Sequence, residues 1–98
     1  MHKYRAKRTT VDGFNFDSKK EAAYYGKLNL LKRSGEISFF LRQVPFHLPG
    51  NVTYRLDFME FHKDGSIKYV DVKGMDTPVS KLKRKQVEAL YPIKIDIV

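Results

Sequence analysis

The first stretch with helical periodicity lies between Ser18 and Gly35, where Ala22, Tyr25, Leu28 and either Leu30 or Leu31 recur at a spacing that gathers them on one face. Ser18 is placed to cap this helix, Glu21 sits three residues on as in a capping box, and Gly35 supplies the stop. Extended stretches follow, "ISFFLRQVPFHL", "VTYRLDFMEFH" and "SIKYVDVK", each rich in aromatic or β-branched residues. "TPVSKLKRKQVEALYP" predicts a second helix, with Thr77 as cap, Pro78 at the first helical position and Pro92 at the end. "IKIDIV" is a closing strand, and upstream "TTVDGFNF" predicts a hairpin turning at Asp12-Gly13. A helix between "YVDVK" and "IKIDIV" implies a right-handed crossover joining parallel strands. The expectation is an α/β fold with an αβββαβ core, its mixed central sheet flanked by helices on both faces, because the middle strands are apolar on both sides.

The connection "HKDGS" decides which side chains of the second and third strands face one another. A three-residue loop with Gly65 left-handed pairs His62 with Ser66, Phe61 with Ile67 and Met59 with Tyr69. It then sets Asp57 opposite Asp71 and Arg55 opposite Lys73, with Phe58 against Val70, Leu56 against Val72 and Glu60 beside Lys68 on the other face. A two-residue turn at Asp64-Gly65 would instead pair Asp57 with Val72 and send the two acids to opposite faces.

In the first register two carboxylates repel across the ladder, more strongly as water is excluded. Arg55 or Lys73 would compensate, and a magnesium ion would do so better, since it takes one or two carboxylates with waters and a substrate phosphate. Lys73 lies on the face of Asp71, where its ammonium can hold or help deprotonate an attacking water. The plainer account is a buried Asp71–Lys73 pair that only fixes register.

Composition narrows the partners. At 98 residues the chain has the length of one domain, 1–98, with a basic tail or hairpin at about 1–16. Cysteine is absent, so thiolate zinc sites and disulfides are excluded, and His2, His47 and His62 are too scattered for a local metal motif. The start "MHKYRAKR" has no signal-peptide apolar region and no run is long enough to cross a bilayer, so a cytoplasmic protein without a membrane partner is expected. The net charge of +8 is concentrated in "KYRAKR" and "KLKRK" and points to nucleic acid, although lysine-rich faces are often only solvated surface.

With "RLDF", "DVK" and "SKKEA" in this order, the chain resembles the PD-(D/E)xK nuclease superfamily over about residues 17–98, and in particular small phage-encoded, Holliday-junction-resolvase-like proteins. Leu56 stands where the nominal motif has proline. The resemblance implies a restriction-endonuclease-like fold and a centre of one or two Mg2+ ions, with Mn2+ as a substitute. Asp57 and Asp71 would be direct ligands, the Val72 carbonyl a further one, Glu21 a ligand to metal or its water, and Lys73 the residue near the nucleophile; a capping role alone also accounts for Glu21. Gln43 could reach the site from the adjacent strand or face an edge. Lys83 and Gln86 are expected near the inward boundary of the second helix, with Lys81, Arg84 and Lys85 outward as a DNA-backbone face beside Lys3, Arg5, Lys7 and Arg8. Tyr24 and Tyr25 are expected to pack in the core, and no role falls to His47 or His62. The function so implied is a Mg2+-dependent endodeoxyribonuclease acting on branched or structured DNA in recombination or replication, located in the bacterial host cytoplasm if encoded by a phage or prophage. A homodimer is expected if two strands of a junction are cut. The alternatives are a non-catalytic basic nucleic-acid-binding protein and a phage adaptor that binds a host protein.

Overall fold

Turn and cap chemistry sets the course of the chain in the computed structural model, which describes residues 8–98. Strands β1 (Thr9–Val11) and β2 (Phe14–Phe16) are joined by Asp12 and Gly13, at φ 52° and 80°. Both lie in the left-handed region that a two-residue hairpin requires. Helix α1 (Lys19–Arg33) begins with Ser18 Oγ accepting the Glu21 amide. It ends where the amides of Gly35, at φ 86°, and Glu36 bond back to the carbonyls of Lys32 and Leu31. This pair of bonds satisfies carbonyls that the helix end would leave open. Ala22, Tyr25 and Leu28 are buried; Leu31, not the exposed Leu30, continues the apolar face.

Strands β3 (Ile37–Leu48), β4 (Val52–His62) and β5 (Ile67–Asp71) form an antiparallel meander. Helix α2 (Pro78–Leu90), capped by Thr77 Oγ1 accepting from the Ser80 amide, then leads to β6 (Ile95–Ile97), which runs parallel to β5. The sheet order is β3-β4-β5-β6. The molecule is therefore a mixed α/β domain in which α1 and all later elements follow the order αβββαβ.

The β4–β5 hairpin adopts the three-residue connection. The His62 amide bonds the Ser66 carbonyl, the Gly65 amide bonds the His62 carbonyl, and Gly65 sits at φ 90°. Pairing runs from Phe61–Ile67 to Phe58–Val70, and there it stops. The expected ladder partnerships of Asp57 with Asp71, of Leu56 with Val72 and of Arg55 with Lys73 are not made, because beyond Phe58–Val70 the Asp57 and Asp71 side chains bond the facing backbone in place of the ladder.

Two cores sit on the sheet. Phe58 and Val70 pack with Phe16, Ala22, Tyr25, Leu28 and Ile37 beneath α1. Met59 and Tyr69, one residue along each strand and hence on the opposite face, join Leu56, Tyr54, Val87 of α2 and Ile95. Complete burial of a residue such as Leu28 or Phe58 is worth about 1.5–3 kcal/mol. Strict alternation would keep Tyr54, Leu56 and Phe58 on one face, yet the first two belong to the α2 core and the third to the α1 core. On β3 the same change occurs between Phe40 and Val44. The break falls at Gln43, at φ 52°, and the β3–β4 ladder passes from Arg42–Phe58 to Val44–Leu56 without a Gln43–Asp57 pair.

The helices do lie on opposite faces, but they cover less of the sheet than expected. Val87 is the one buried residue of α2, and Phe39, Leu41 and Ile67 remain exposed on the strands, with Phe39 stacked on Phe61 at 4.2 Å.

Candidate active site

The break in β4 brings the two aspartates together. His62 donates its amide to β5, so pairing by twos would send the Asp57 amide the other way, toward β3. With Gln43 left-handed and unpaired in the ladder, that amide is released, and it donates instead to Asp71 Oδ1 at 2.9 Å. Asp57 Oδ2 in turn accepts from the Val72 amide at 2.9 Å. Each strand is thus held by an aspartate of the other. On its far side Asp71 is anchored by β6, where the Val98 amide donates to its carbonyl and the Lys73 amide donates to the Val98 carbonyl.

Glu21 and Gln43 complete the cluster. The Gln43 amide group donates to Glu21 Oε2 at 3.3 Å and to Asp57 Oδ1 at 3.4 Å, so it bridges α1 and β4. A non-glycine residue at φ 52° stores about 1–3 kcal/mol and persists only where its surroundings enforce it. Here the two acids and the change of face do so. The Ser18 half of the expected capping box is made, with the Glu21 amide donating to Ser18 Oγ, while the buried Glu21 carboxylate accepts from Gln43 beside Asp57.

Charge in this pocket is poorly solvated. Burial, then the neighbouring Asp57 and Asp17, pushes the Glu21 carboxyl from 4.5 up to about 7. Burial likewise raises Asp57 and Asp71 above the ordinary carboxylate range, against the pull of their amide donors and of Lys73. Asp71 is 1% exposed, and its Oδ2 has no hydrogen-bond partner. The nearest cation is the Lys73 ammonium, 3.9 Å away, at the limit of an ion pair. A buried carboxylate oxygen left in this condition is costly, and a cation is what would relieve it.

The donor chemistry fits a hard divalent ion. Asp71 Oδ2 is free to ligate, Asp57 adjoins it, and Val72 lies between Asp71 and Lys73 in the chain. Among the described residues no group of three or more His, Asp or Glu side chains is arranged to hold a metal by itself. The fit is therefore to an ion that takes one or two carboxylates and fills its remaining positions with water and substrate oxygens. Glu21 is linked to this pair through Gln43.

Lys73 follows the end of β5. The Lys20 ammonium donates to its carbonyl at 2.9 Å, tying α1 to the loop after the strand. Downstream, Arg84 forms a two-pronged bond to Asp76 at 3.0 and 2.6 Å, and the guanidinium holds the Asp76 carboxyl below its usual range. Arg84 is thus not an outward member of a DNA-backbone face, and Gln86 is exposed where an inward boundary was expected. The cause is the phase of α2: burial of Val87 turns Arg84 and the half-buried Lys83 inward and leaves Lys81 and Lys85 outward as foreseen. Arg8 is exposed, while Lys3, Arg5 and Lys7 lie outside the described residues.

Lys20 and Arg42 were not singled out from sequence. Arg42 lies over the rings of Phe14 and Phe16, at 4.6 and 4.4 Å, on the side of Glu21. Nothing local marks either residue; only the packing of α1 and the first hairpin onto the sheet gives them neighbours. Tyr25 packs in the core as expected and the half-buried Tyr24 packs against it, 5.3 Å from the Phe58 ring, while the Tyr24 hydroxyl donates to buried Glu60 at 2.5 Å and Glu60 also meets His62 Nε2 at 2.9 Å.

An α/β domain with a buried aspartate bonded to a half-buried one, a bridged glutamate and an adjacent lysine at one end of its central ladder defines the class of protein in structural terms. Over residues 1–97 the chain matches, and belongs to, the family described as "Protein of unknown function (DUF1064)". No curated protein and no solved structure matches it. No helix among the described residues is long and apolar enough to cross a membrane.

Proposed function

We propose that this protein is a metal-dependent endonuclease of the PD-(D/E)xK type that hydrolyses phosphodiester bonds in DNA, with branched or otherwise structured DNA as its substrate and Mg2+ as its cofactor. The observation that carries the reading is the buried Asp71 Oδ2, which has no hydrogen-bond partner and lies 3.9 Å from the Lys73 ammonium, on a carboxylate whose other oxygen accepts the Asp57 amide. A purely structural acid would have its lone pairs satisfied, and a pair serving only to fix register would bring its ammonium closer than 3.9 Å. The αβββαβ order, with an acid on each of two adjoining strands and a glutamate on the first helix, agrees with a restriction-endonuclease-like core.

In this reading Asp57, Asp71 and the Val72 carbonyl hold the ion, and Glu21 holds it or one of its waters. When bound, Mg2+ supplies Lewis-acid polarisation of the phosphate and stabilises the charge that develops on its oxygens. Lys73, as an ammonium, would orient the attacking water and stabilise the hydroxide left when that water gives its proton to bulk solvent. Gln43 keeps Glu21 and Asp57 in one orientation before substrate arrives, which is how a site avoids reorganising during reaction. Lys81, Lys85 and Arg8 contribute sequence-independent attraction to the backbone.

The test is incubation of purified protein with linear, nicked, flapped and four-way DNA, with Mg2+, Mn2+ or EDTA, beside Asp71→Asn and Lys73→Ala. Cleavage that needs the metal and both side chains is the expected result. Intact DNA in every lane refutes the enzyme reading and favours a non-catalytic DNA-binding protein.

A further inference from the structure

Arg42 holds a positive charge that no acid among the described residues pairs with. It faces Phe58 across the β3–β4 ladder, on the side of the sheet that α1 covers. Its guanidinium lies over the rings of Phe14, Phe16 and Tyr25, at 4.6, 4.4 and 5.9 Å. A guanidinium stacked on rings is held by its faces, which leaves its N–H donors in the plane, where they match an oxyanion two at a time. Those donors are idle here: Nε is buried without an acceptor, and among the described residues no hydrogen bond or ion pair engages the rest of the group. A buried donor left open in a side chain that is otherwise held in place calls for an explanation.

We propose that Arg42 binds a backbone phosphate of the DNA strand drawn into the acid centre, gripping it with the open edge of its guanidinium. Its place relative to the acids follows from the chain. Gln43, the next residue, bridges Glu21 and Asp57, and Tyr25 stands one turn after Glu21 on α1. In the sheet order β3-β4-β5, Arg42 therefore flanks Asp57 on one side while Lys73, just beyond β5, lies on the other. Arg42 is not spent as the partner of Glu21: that carboxyl accepts from Gln43, and burial with Asp57 and Asp17 keeps it up at about 7 against the pull of Arg42. The missing anion has to enter a place where carboxylates repel it. A nucleic-acid strand can do so because its phosphates repeat, so that one meets the ion held by the aspartates while its neighbour meets Arg42. The role rests on the nuclease reading for its purpose, but the contact itself requires neither metal nor cleavage.

The experiment measures fluorescence anisotropy of a labelled flapped DNA in EDTA over a range of salt concentrations. Arg42→Met keeps an unbranched apolar stem on the rings and is expected to lower affinity about 10-fold and the salt slope by about 0.9, as for one lost phosphate contact. Arg42→Lys keeps the charge but lacks the planar fork, and is expected to remain at least ~3-fold weaker than wild type. Arg33→Met, the same change of charge in the exposed last turn of α1, is expected to cost less than about 2-fold. Equal losses at Arg42 and Arg33, or wild-type affinity in Arg42→Lys, overturn the proposal in favour of a diffuse basic field, and so does wild-type protein that binds no DNA at low salt. If Arg42→Met shows no urea transition, Arg42→Lys decides alone, a loss of ~3-fold or more supporting the contact and a smaller one overturning it. Because no metal is present, the Arg42 contact can fail while metal-dependent cleavage stands, and the reverse.

Discussion

Replacing Glu21 with glutamine tests whether the cluster is a place of disfavoured negative charge. The Glu21 carboxyl is raised from 4.5 to about 7, with burial the largest cause. A group whose affinity for protons is higher folded than unfolded adds stability below its unfolded value, near 4.5, and loses that contribution as pH rises through about 7. At about 1.4 kcal/mol per decade of proton affinity the ceiling is ~3 kcal/mol, and water reaching the carboxylate brings the expectation to about 2 kcal/mol. Metal-free wild-type protein should therefore weaken between pH 5 and pH 8. Asp57 and Asp71 add to the decline with the same sign. Glu21→Gln retains an oxygen to accept from Gln43 and removes the charge, so it should match the wild type near pH 5 and exceed it by about 2 kcal/mol at pH 8. Urea unfolding in EDTA at several pH values measures this. A variant less stable than wild type at pH 8, or an offset that does not change with pH, would refute the account of the pocket as a desolvated acid cluster awaiting a cation.

Mg2+ at saturating concentration should raise the unfolding midpoint of the wild type at pH 8 and leave Asp71→Asn unmoved, as read by thermal denaturation; equal stabilisation of both would place the ion elsewhere. Lys73→Ala should lower the single-turnover rate of DNA cleavage about 10²–10⁴-fold with DNA affinity nearly unchanged, and a loss confined to affinity would make Lys73 a backbone contact. Arg84→Ala removes the partner of Asp76 and should lower the urea midpoint slightly, less so at high salt, whereas Lys81→Ala/Lys85→Ala should leave stability unchanged and flatten the salt dependence of DNA binding. Gly65→Ala forces a side chain into φ 90° and should destabilise the β4–β5 hairpin by about 1 kcal/mol; no change in the urea midpoint would contradict the turn assignment.

Much of this was legible in the chain because the signals were local and agreed with one another. Asp12-Gly13, Gly35, Gly65, Ser18 and Thr77-Pro78 each name a backbone state, and together they place the elements and the phase of the β4–β5 hairpin as far as Phe58 and Val70. The break at Gln43 was not legible. Its left-handed φ falls on a residue with no glycine-like freedom, in a run that reads as continuous strand, and it is enforced from outside by two cores pulling β3 and β4 toward opposite faces. The end of the ladder was misjudged for the same reason: period-two counting carries pairing on to Arg55 and Lys73, and only the rotated Asp57 amide stops it. The phase of α2 was hidden because Val79, Leu82 and Leu90, the apolar residues that would mark a buried stripe, are exposed, and Val87 alone sets the inward side.

The exchange of bonds between Asp57 and Asp71 couples assembly of the fold to assembly of the chemistry. The acids occupy positions where main-chain carbonyls would otherwise close the sheet, so a change at either loosens a strand as well as removing a functional group. Substituting both together should cost far less than the two separate losses combined, and evolutionary drift at one should be tolerated only with a matching change at the other.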